Sequence, residues 1–363
     1  MIRILALCSP GEVRAAAVAD GTLLDYAIWR PGRPDGVGDL HRARVAAHLP
    51  ALAGAFLSLP EGDGFLPDSE GGAGLVEGST LAVRITRAAQ GGKGPRLSAK
   101  VEQAPGPPGL LARGPGAVEE LAARYPEAPI LADDPALVAA LRPKLGSRIA
   151  PGAALLHESL AEQIDALARP EIALPGGVRA TVHPTPALVA IDMDTASATA
   201  ARQAKPALQL AVNRAALPGL ARQIRLRNLS GAILIDLAGM GMKRRAQLGP
   251  TLEAALASDP LRPRFLGFTA LGLAEIVRPR VRPPVHELLA GPHAAGLSAL
   301  RALAAEAAAA PHLALRLRAA PDVIAALERD AVAPGDLARR TGRTLVSVPD
   351  PALAPGLWRI ERE

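Results

Sequence analysis

Two apolar runs that each end on a carboxylate constrain this 363-residue chain more than any other feature. Leu188-Val189-Ala190-Ile191 stops at Asp192-Met193-Asp194, and Ala232-Ile233-Leu234-Ile235 stops at Asp236. Short apolar runs bounded by polar residues read as buried strands. Asp192 and Asp194 are two apart, so on an extended strand their side chains share a face. Pairing the two strands brings Asp236 alongside. A basic, helix-like segment lies between the runs, and Lys243-Arg244-Arg245 follows them. Carboxylates at neighbouring strand ends, flanked by cations, suit a divalent metal held against a polyanion. Mg2+ takes oxygen ligands and is commonly bound by one or two carboxylates plus substrate phosphate. A metal there can activate water and orient an in-line attack on a phosphodiester, with Lys243, Arg244 and Arg245 positioning the phosphates. The same spacing also suits aspartates that start turns or cap the next helix with no metal at all.

The formal charge of +6 favours an anionic partner. From Lys205 to Pro284 there are thirteen Lys or Arg against four Asp or Glu, so the excess is concentrated beside the aspartates. Aromatic residues make up 2% of the chain, which limits base stacking on aromatic platforms. The one cysteine, Cys8, excludes an internal disulfide and a Cys-rich metal site and fits a reducing cytoplasm. No apolar run is long enough to cross a bilayer, so no membrane partner is expected. The N-terminus, Met1-Ile2-Arg3-Ile4-Leu5, reads as a first strand rather than a signal peptide.

Along the chain, residues 2–30 predict a β-meander with an Asp20-Gly21 hairpin turn. Between Val37 and Val101, short runs of β preference (Leu40 to Val45, Gly54 to Leu59, Ser79 to Ile85, Arg96 to Lys100) separated by Gly, Pro and Asp predict an OB-like barrel of about five strands. Phe56 and Phe65 are either core residues or base-stacking rings on that barrel. Residues 104–175 read as α/β: a strand at Gly109 to Ala112, helices at Val118 to Tyr125 and Pro135 to Leu141, a strand at Ile130 to Ala132, and a helix from His157 to Ala168. Lys205 to Arg227 predicts a helix broken or kinked at Pro218. Gln247 to Ala257 reads as helix, Arg264 to Phe268 as strand, and Leu271 to Val277 as a short helix. Residues 281–296, with His286 and His293, read as a linker, and the tail as an αβαββ module.

The quoted segments resemble the bacterial ribonuclease E/ribonuclease G family. Gly38-Asp39-Leu40-His41 resembles its G-N/D-I-Y strand, Ala55-Phe56-Leu57 and Gly64-Phe65-Leu66-Pro67 its A-A-F-V and G-F-L-P segments, and Lys93-Gly94-Pro95-Arg96-Leu97 its K-G-A-R-L segment. Leu111-Ala112-Arg113-Gly114 is similar to the 5′-sensor's I-x-R-T. Leu174-Pro175-Gly176-Gly177 through Asp194 resembles L-P-S-G-G…I-D-x-N. Arg222 through Asp236 resembles A-R-Q-L-R-L-R-D-L-G-G-x-I-V-I-D.

The resemblance implies a mixed α/β, multidomain fold. Its parts are an RNase H-like subdomain (1–36 and 104–175, with the 5′-sensor), an inserted S1/OB barrel (37–103), a DNase I-like catalytic subdomain (176–282), a linker (283–296) and a small C-terminal αβ domain (297–363). It implies a Mg2+-dependent endoribonuclease acting on single-stranded RNA, with Asp192 and Asp236 as metal ligands and Asp194 assisting; the carboxylate at Asp194, where the family has asparagine, makes Mn2+ the alternative metal. Phe56, Phe65 and Lys93 would grip the strand, and Arg113 would lie near the 5′ phosphate. The chain departs from the family at Gly114, Pro186, Asp194, Gly239 and Ala270. It also lacks the zinc-link cysteines, so no structural zinc is expected and a homo-oligomer would not form through one. The rival expectation is an RNA-binding or regulatory relative with weakened catalysis.

Overall fold

In the computed structural model, which describes residues 1–103, 105–152, 158–195 and 206–362, the chain divides into two units: Met1–His157 with Glu287–Glu363, and Glu158–His286. In the first, β1 (Arg3–Ser9), β2 (Glu12–Ala19) and β3 (Thr22–Trp29) form the expected antiparallel meander. Asp20 and Gly21 take φ of 49° and 73°, the left-handed pair whose twist matches that of a two-residue hairpin.

The barrel follows as β4 (Leu40–Leu49), β5 (Gly54–Leu59), β6 (Gly62–Pro67), β7 (Thr80–Arg87) and β8 (Arg96–Ser98). β4 pairs with β5 and β7, β6 with β5 and β8, and β7 with β8, so the five strands close on themselves. Val45, Leu57, Leu66, Val83 and Leu97 fill the interior. Strand β6 is hidden from β preference because three of its six residues are Gly or Asp. The strand expected at Gly109 is β9 (Gly109–Ala112), which pairs with β4 at the barrel and not with an α/β layer. Then α1 (Ala117–Arg124), β10 (Ile130–Ala132), α2 (Pro135–Leu145) and β11 (Ile149–Pro151) return the chain to the meander. β10 lies parallel to β1, giving the order β11-β10-β1-β2-β3. Asp134 caps α2, its Oδ1 accepting the Ala136 N–H at 2.8 Å.

The second unit comprises α3 (Glu158–Asp165), β12 (Glu171–Leu174), β13 (Val178–Pro184), β14 (Leu188–Thr195), α4 (Pro206–Leu226), β15 (Gly231–Asp236), α5 (Met242–Arg245), α6 (Gly249–Leu256), β16 (Arg264–Phe268) and β17 (Ala274–Arg278). The starts expected at His157 and Lys205 lie outside the described residues. The sheet order is β12-β13-β14-β15-β17-β16. β14 and β15 are parallel, and the other pairs are antiparallel. Ile191, Ile233, Ile235 and Ile276 pack against Leu217, Leu220 and Ile224 of α4. Because β12 joins this sheet, the layer begins before residue 176.

Two expectations are corrected here. Of the break or kink expected at Pro218, the break is absent, since α4 runs through it. Its ring faces solvent while Ala216, Leu217 and Leu220 are buried, so tertiary packing offsets the lost backbone hydrogen bond. Leu271 to Val277 is not a helix but a turn leading into β17. Ala274, Ile276 and Arg278 are buried and alternate with Glu275 and Val277, a period of two that so short a run did not distinguish.

The C-terminal module holds α7 (Val285–Leu288), α8 (Gly291–Ala309), β18 (Leu315–Ala319), α9 (Pro321–Glu328), α10 (Ala333–Thr341), β19 (Ser347–Pro349) and β20 (Trp358–Arg362), with sheet order β19-β18-β20. Helix α10 was not expected, and residues 283–296 are not all linker. His293 lies inside α8, buried, with Nε2 2.8 Å from Asp330 Oδ2. Asp330 Oδ1 accepts the Val332 and Ala333 N–H groups at 2.9 Å each. His293 is thus a core residue. No helix among the described residues is long and apolar enough to cross a membrane.

Candidate active site

Asp192 and Asp236 are register partners on the parallel pair β14–β15, and Thr181 of β13 is the register partner of Asp192. A row Thr181–Asp192–Asp236 therefore crosses three strands. The alternation that buries Ile191, Met193 and Ile235 sends Asp192, Asp194 and Asp236 to the opposite face, where all three are exposed. Three carboxylates on one strand pair are thereby kept hydrated, which avoids the cost of burying charge. Asp194 stands one row further out, opposite Arg179, and its Oδ1 accepts the Thr195 N–H at 2.7 Å.

Arg245 connects this row to the loops around it. Its Nη1 donates to Asp236 Oδ1 at 2.7 Å and to Gly272 O at 2.8 Å, while Nε donates to Met240 O at 2.7 Å. The side chain is only 13% exposed, so one guanidinium ties the loop after β15 and the β16–β17 turn to the carboxylate. Lys243 and Arg244 on the same short helix are exposed. Asn213, fully buried in α4, fixes the loop from the other side. Its Nδ2 donates to Gln209 O and Ala238 O, and its Oδ1 accepts the Ala238 N–H at 3.1 Å.

Sequence reasoning missed Thr181, Arg179 and Asn213. The alternation of β13 places the first two on one face, and a lone amide beside the apolar stripe of α4 marks the third.

Other arginines in the basic segment are structural. Arg227 donates to the carbonyls of Ala166, Leu167, Arg169 and Glu171, and burial pushes its pKa down to about 10. Arg278 is buried against Asp259 at 2.7 Å. Part of the local basic excess therefore holds the unit together and does not face a ligand.

Among the described residues no group of three or more His, Cys, Asp or Glu side chains is assembled to hold a metal. Two adjacent carboxylates nevertheless fit Mg2+, which needs one or two protein oxygens and takes the remainder from water or phosphate. At Gly239, with φ 60°, a Cβ would lie 3.3 Å from Gln209 Nε2.

In the first unit, Phe56 and Phe65 are register partners on β5 and β6, half-buried, with ring centroids 5.4 Å apart and planes at 58°. They sit on the face opposite the barrel core. Gly54 makes room for them, since a Cβ there would lie 2.5 Å from Phe65 Cζ. Lys93 is exposed in the turn closed by its backbone pairing with Gln90, two residues before Pro95, whose carbonyl accepts the Phe65 N–H at 2.8 Å. Arg113 pairs with Asp39, Nη1 to Oδ2 at 2.6 Å, and the Gly114 N–H donates to Asp39 Oδ1 at 2.7 Å. Asp39 is buried while the Arg113 side chain is 49% exposed. Burial holds the His41 pKa below its ordinary value against the opposing pull of Asp39. A Cβ at Gly114 would lie 2.3 Å from Val37 O, so the backbone there excludes any side chain.

The sequence pattern of the Ribonuclease E/G family matches residues 144–281. Ribonuclease E of Nostoc sp. strain PCC 7120 is 36% identical over 121 residues, which is 33% of this chain and 18% of that protein. Ribonuclease G of Escherichia coli K12 is 32% identical over 120 residues, 33% of this chain and 24% of that protein. Ribonuclease E of the same strain is 32% identical over 132 residues, 36% of this chain and 12% of that protein. The matched segments thus span a quarter or less of these relatives. The matched segment holds both carboxylate-ending strands and is similar to the ribonuclease E/G family.

Proposed function

We propose that this protein is an endoribonuclease of cytoplasmic RNA processing, cutting single-stranded RNA at the Asp192–Asp236 row with Mg2+, or Mn2+, as its metal. The observation that carries this reading is the register of Asp192 with Asp236 inside the segment matched to the family. Asp192 and Asp236 would hold the metal, with Asp194 assisting from the next row. When bound, the metal supplies a Lewis acid and lowers the pKa of a water. The chain supplies the positioning. Arg245 holds Asp236 against its two flanking loops, and the exposed Lys243 and Arg244 offer charge to the phosphates. On the barrel, which we read as an S1 domain, Phe56 and Phe65 seat bases and Lys93 meets the backbone. Arg113 lies near the 5′ phosphate in this reading, although the closed backbone at Gly114 argues against strong 5′ sensing.

A second reading, an RNA-binding or regulatory relative with weakened catalysis, is favoured by two observations. Gly239 adds no carboxylate beside Asp236, and Arg245 already neutralises Asp236. Incubation with a 5′-monophosphorylated single-stranded oligoribonucleotide, in Mg2+ or in EDTA, decides between them. The nuclease reading expects Mg2+-dependent cleavage that Asp236→Asn abolishes. RNA binding without cleavage would establish the second reading instead.

A further inference from the structure

The β16–β17 turn is built to hold one apolar side chain in solvent beside Asp236. Thr269 Oγ1 accepts from the backbone N–H groups of Leu271 and Leu273 at 3.2 and 3.0 Å. The Gly272 N–H donates to Thr269 O, and the Thr269 N–H to Leu273 O, at 2.9 Å each. Gly272 takes φ 85°, which closes the turn at a cost most other residues would resist. At its tip Leu271 is 82% exposed. Met242, at the start of α5, is 50% exposed, and its Sδ lies over Gly272, 2.7 Å from where a Cβ would stand. A single nitrogen of Arg245 serves both Gly272 O and Asp236 Oδ1, so this apolar rim is fixed to the carboxylate row. Lys243 and Arg244, next in sequence to Met242, are exposed cations. Leu271 and Met242 are both exposed apolar side chains, and both stand at the turn that Arg245 ties to Asp236.

We propose that Leu271 and Met242 form a seat for the nucleobase adjoining the phosphate at the Asp192–Asp236 row. The inference rests on the endoribonuclease reading above. Its occupant follows from charge and polarity together: a nucleotide presents an apolar base face beside an anionic phosphate, and this rim presents apolar side chains beside Lys243 and Arg244. Neither Leu271 nor Met242 can read a base edge by hydrogen bonding, so the seat discriminates by access and not by sequence. A stacked, paired base has no free face to offer it. The seat therefore contributes a preference for unpaired RNA at the cleavage site.

The test combines Met242→Ser/Leu271→Ser with abasic substrates, using thermal melting to confirm the fold. Wild type should lose about tenfold in kcat/KM when the nucleotide adjoining the scissile bond is abasic, the value of one apolar contact re-covered. The double variant should show the same loss on the intact strand and no further loss on the abasic strand, as expected of coupled partners. Independent losses, or none, would overturn the seat while leaving the nuclease reading intact. Should wild type fail to cut, or Asp236→Asn cut equally well, it is the nuclease reading that fails. A 2-aminopurine scan of the strand bound in EDTA then judges the seat. A fluorescence change that needs Leu271 supports it, and no such change at any position overturns it.

Discussion

Asn213 holds Ala238 by both ends of its side-chain amide, accepting its N–H at 3.1 Å and donating to its carbonyl at 3.0 Å. Ala238 lies two residues past Asp236, so a fully buried helix residue sets the path of the chain away from the carboxylate. In Asn213→Leu a buried N–H and a buried carbonyl lose their partner, at about 1–3 kcal/mol for each group left unpaired. We expect a lower denaturant midpoint, and cleavage reduced through kcat more than through KM. An unchanged midpoint would show that the loop is held by other contacts.

Arg245 makes hydrogen bonds from two nitrogens to three oxygens on different segments. Lysine keeps the charge but has no planar fork with which to reproduce that geometry. Arg245→Lys should therefore behave more like Arg245→Ala than like wild type, with about a tenfold loss of cleavage. If Arg245→Lys retains full activity, charge alone is what Asp236 requires.

Gly239 is open to a carboxylate. An aspartate tolerates φ near 60°, and the nearest obstacle, 3.3 Å from the Cβ position, is the flexible end of Gln209. Gly239→Asp should fold normally and tighten Mg2+ binding about tenfold, as an added carboxylate ligand would. Titrating Mg2+ against intrinsic fluorescence or heat release measures this, and weaker binding in the variant would rule the position out as a ligand site.

Glu12 is fully buried and meets Arg14, Arg30 and Arg301 at 2.6, 2.8 and 2.7 Å. Burial alone would raise its pKa, but the three guanidiniums outweigh burial and hold it below the ordinary 4.5. A carboxylate depressed in the folded state stabilises fully above its unfolded pKa, and that contribution is lost as pH falls through the folded value. Stability of the first unit should therefore fall with acid below about pH 4.5. Glu12→Gln should flatten that acid limb and cost about 3 kcal/mol at neutral pH. An identical acid limb in the variant would assign the loss to other carboxylates.

Phe65 is half-buried and packs on Phe56. Phe65→Ala should weaken RNA binding by about 1–3 kcal/mol with only modest loss of thermal stability. Gly54→Ala should also push the Phe65 ring from its place, but with a larger loss of thermal stability, because its Cβ would lie 2.6 Å from the Leu66 carbonyl oxygen as well. A large drop in melting temperature with unchanged RNA affinity would make Phe65 a packing residue.

Much of this architecture was legible because period-two alternation and turn residues recur wherever one face is buried. The meander, the Asp20-Gly21 hairpin and the two carboxylate-ending strands follow from that rule. What stayed hidden was set by tertiary context. Strand β6 is rich in glycine, β17 is too short for its period to exclude a helix, and Pro218 is carried through α4 by the packing of its neighbours. His293 resembles a linker residue until Asp330, 37 positions away, appears beside it. The neighbours of the aspartates belong to the same class. Arg245 looks like a free cation in sequence, whereas three oxygen acceptors enclose it in the fold.

Because Asp192 and Asp236 are carried by hydrogen-bonded neighbouring strands, backbone geometry sets their separation. A slip of one residue in either strand would turn its carboxylate into the apolar layer beneath α4 and lift isoleucines into water. Misregistered forms are thus heavily penalised, and the hydrophobic core acts as a proofreader of the site. Substitutions elsewhere on the open face can alter what the row binds without moving the row itself. The spacing of the acids is therefore inherited with the sheet, while the chemistry around them remains free to change.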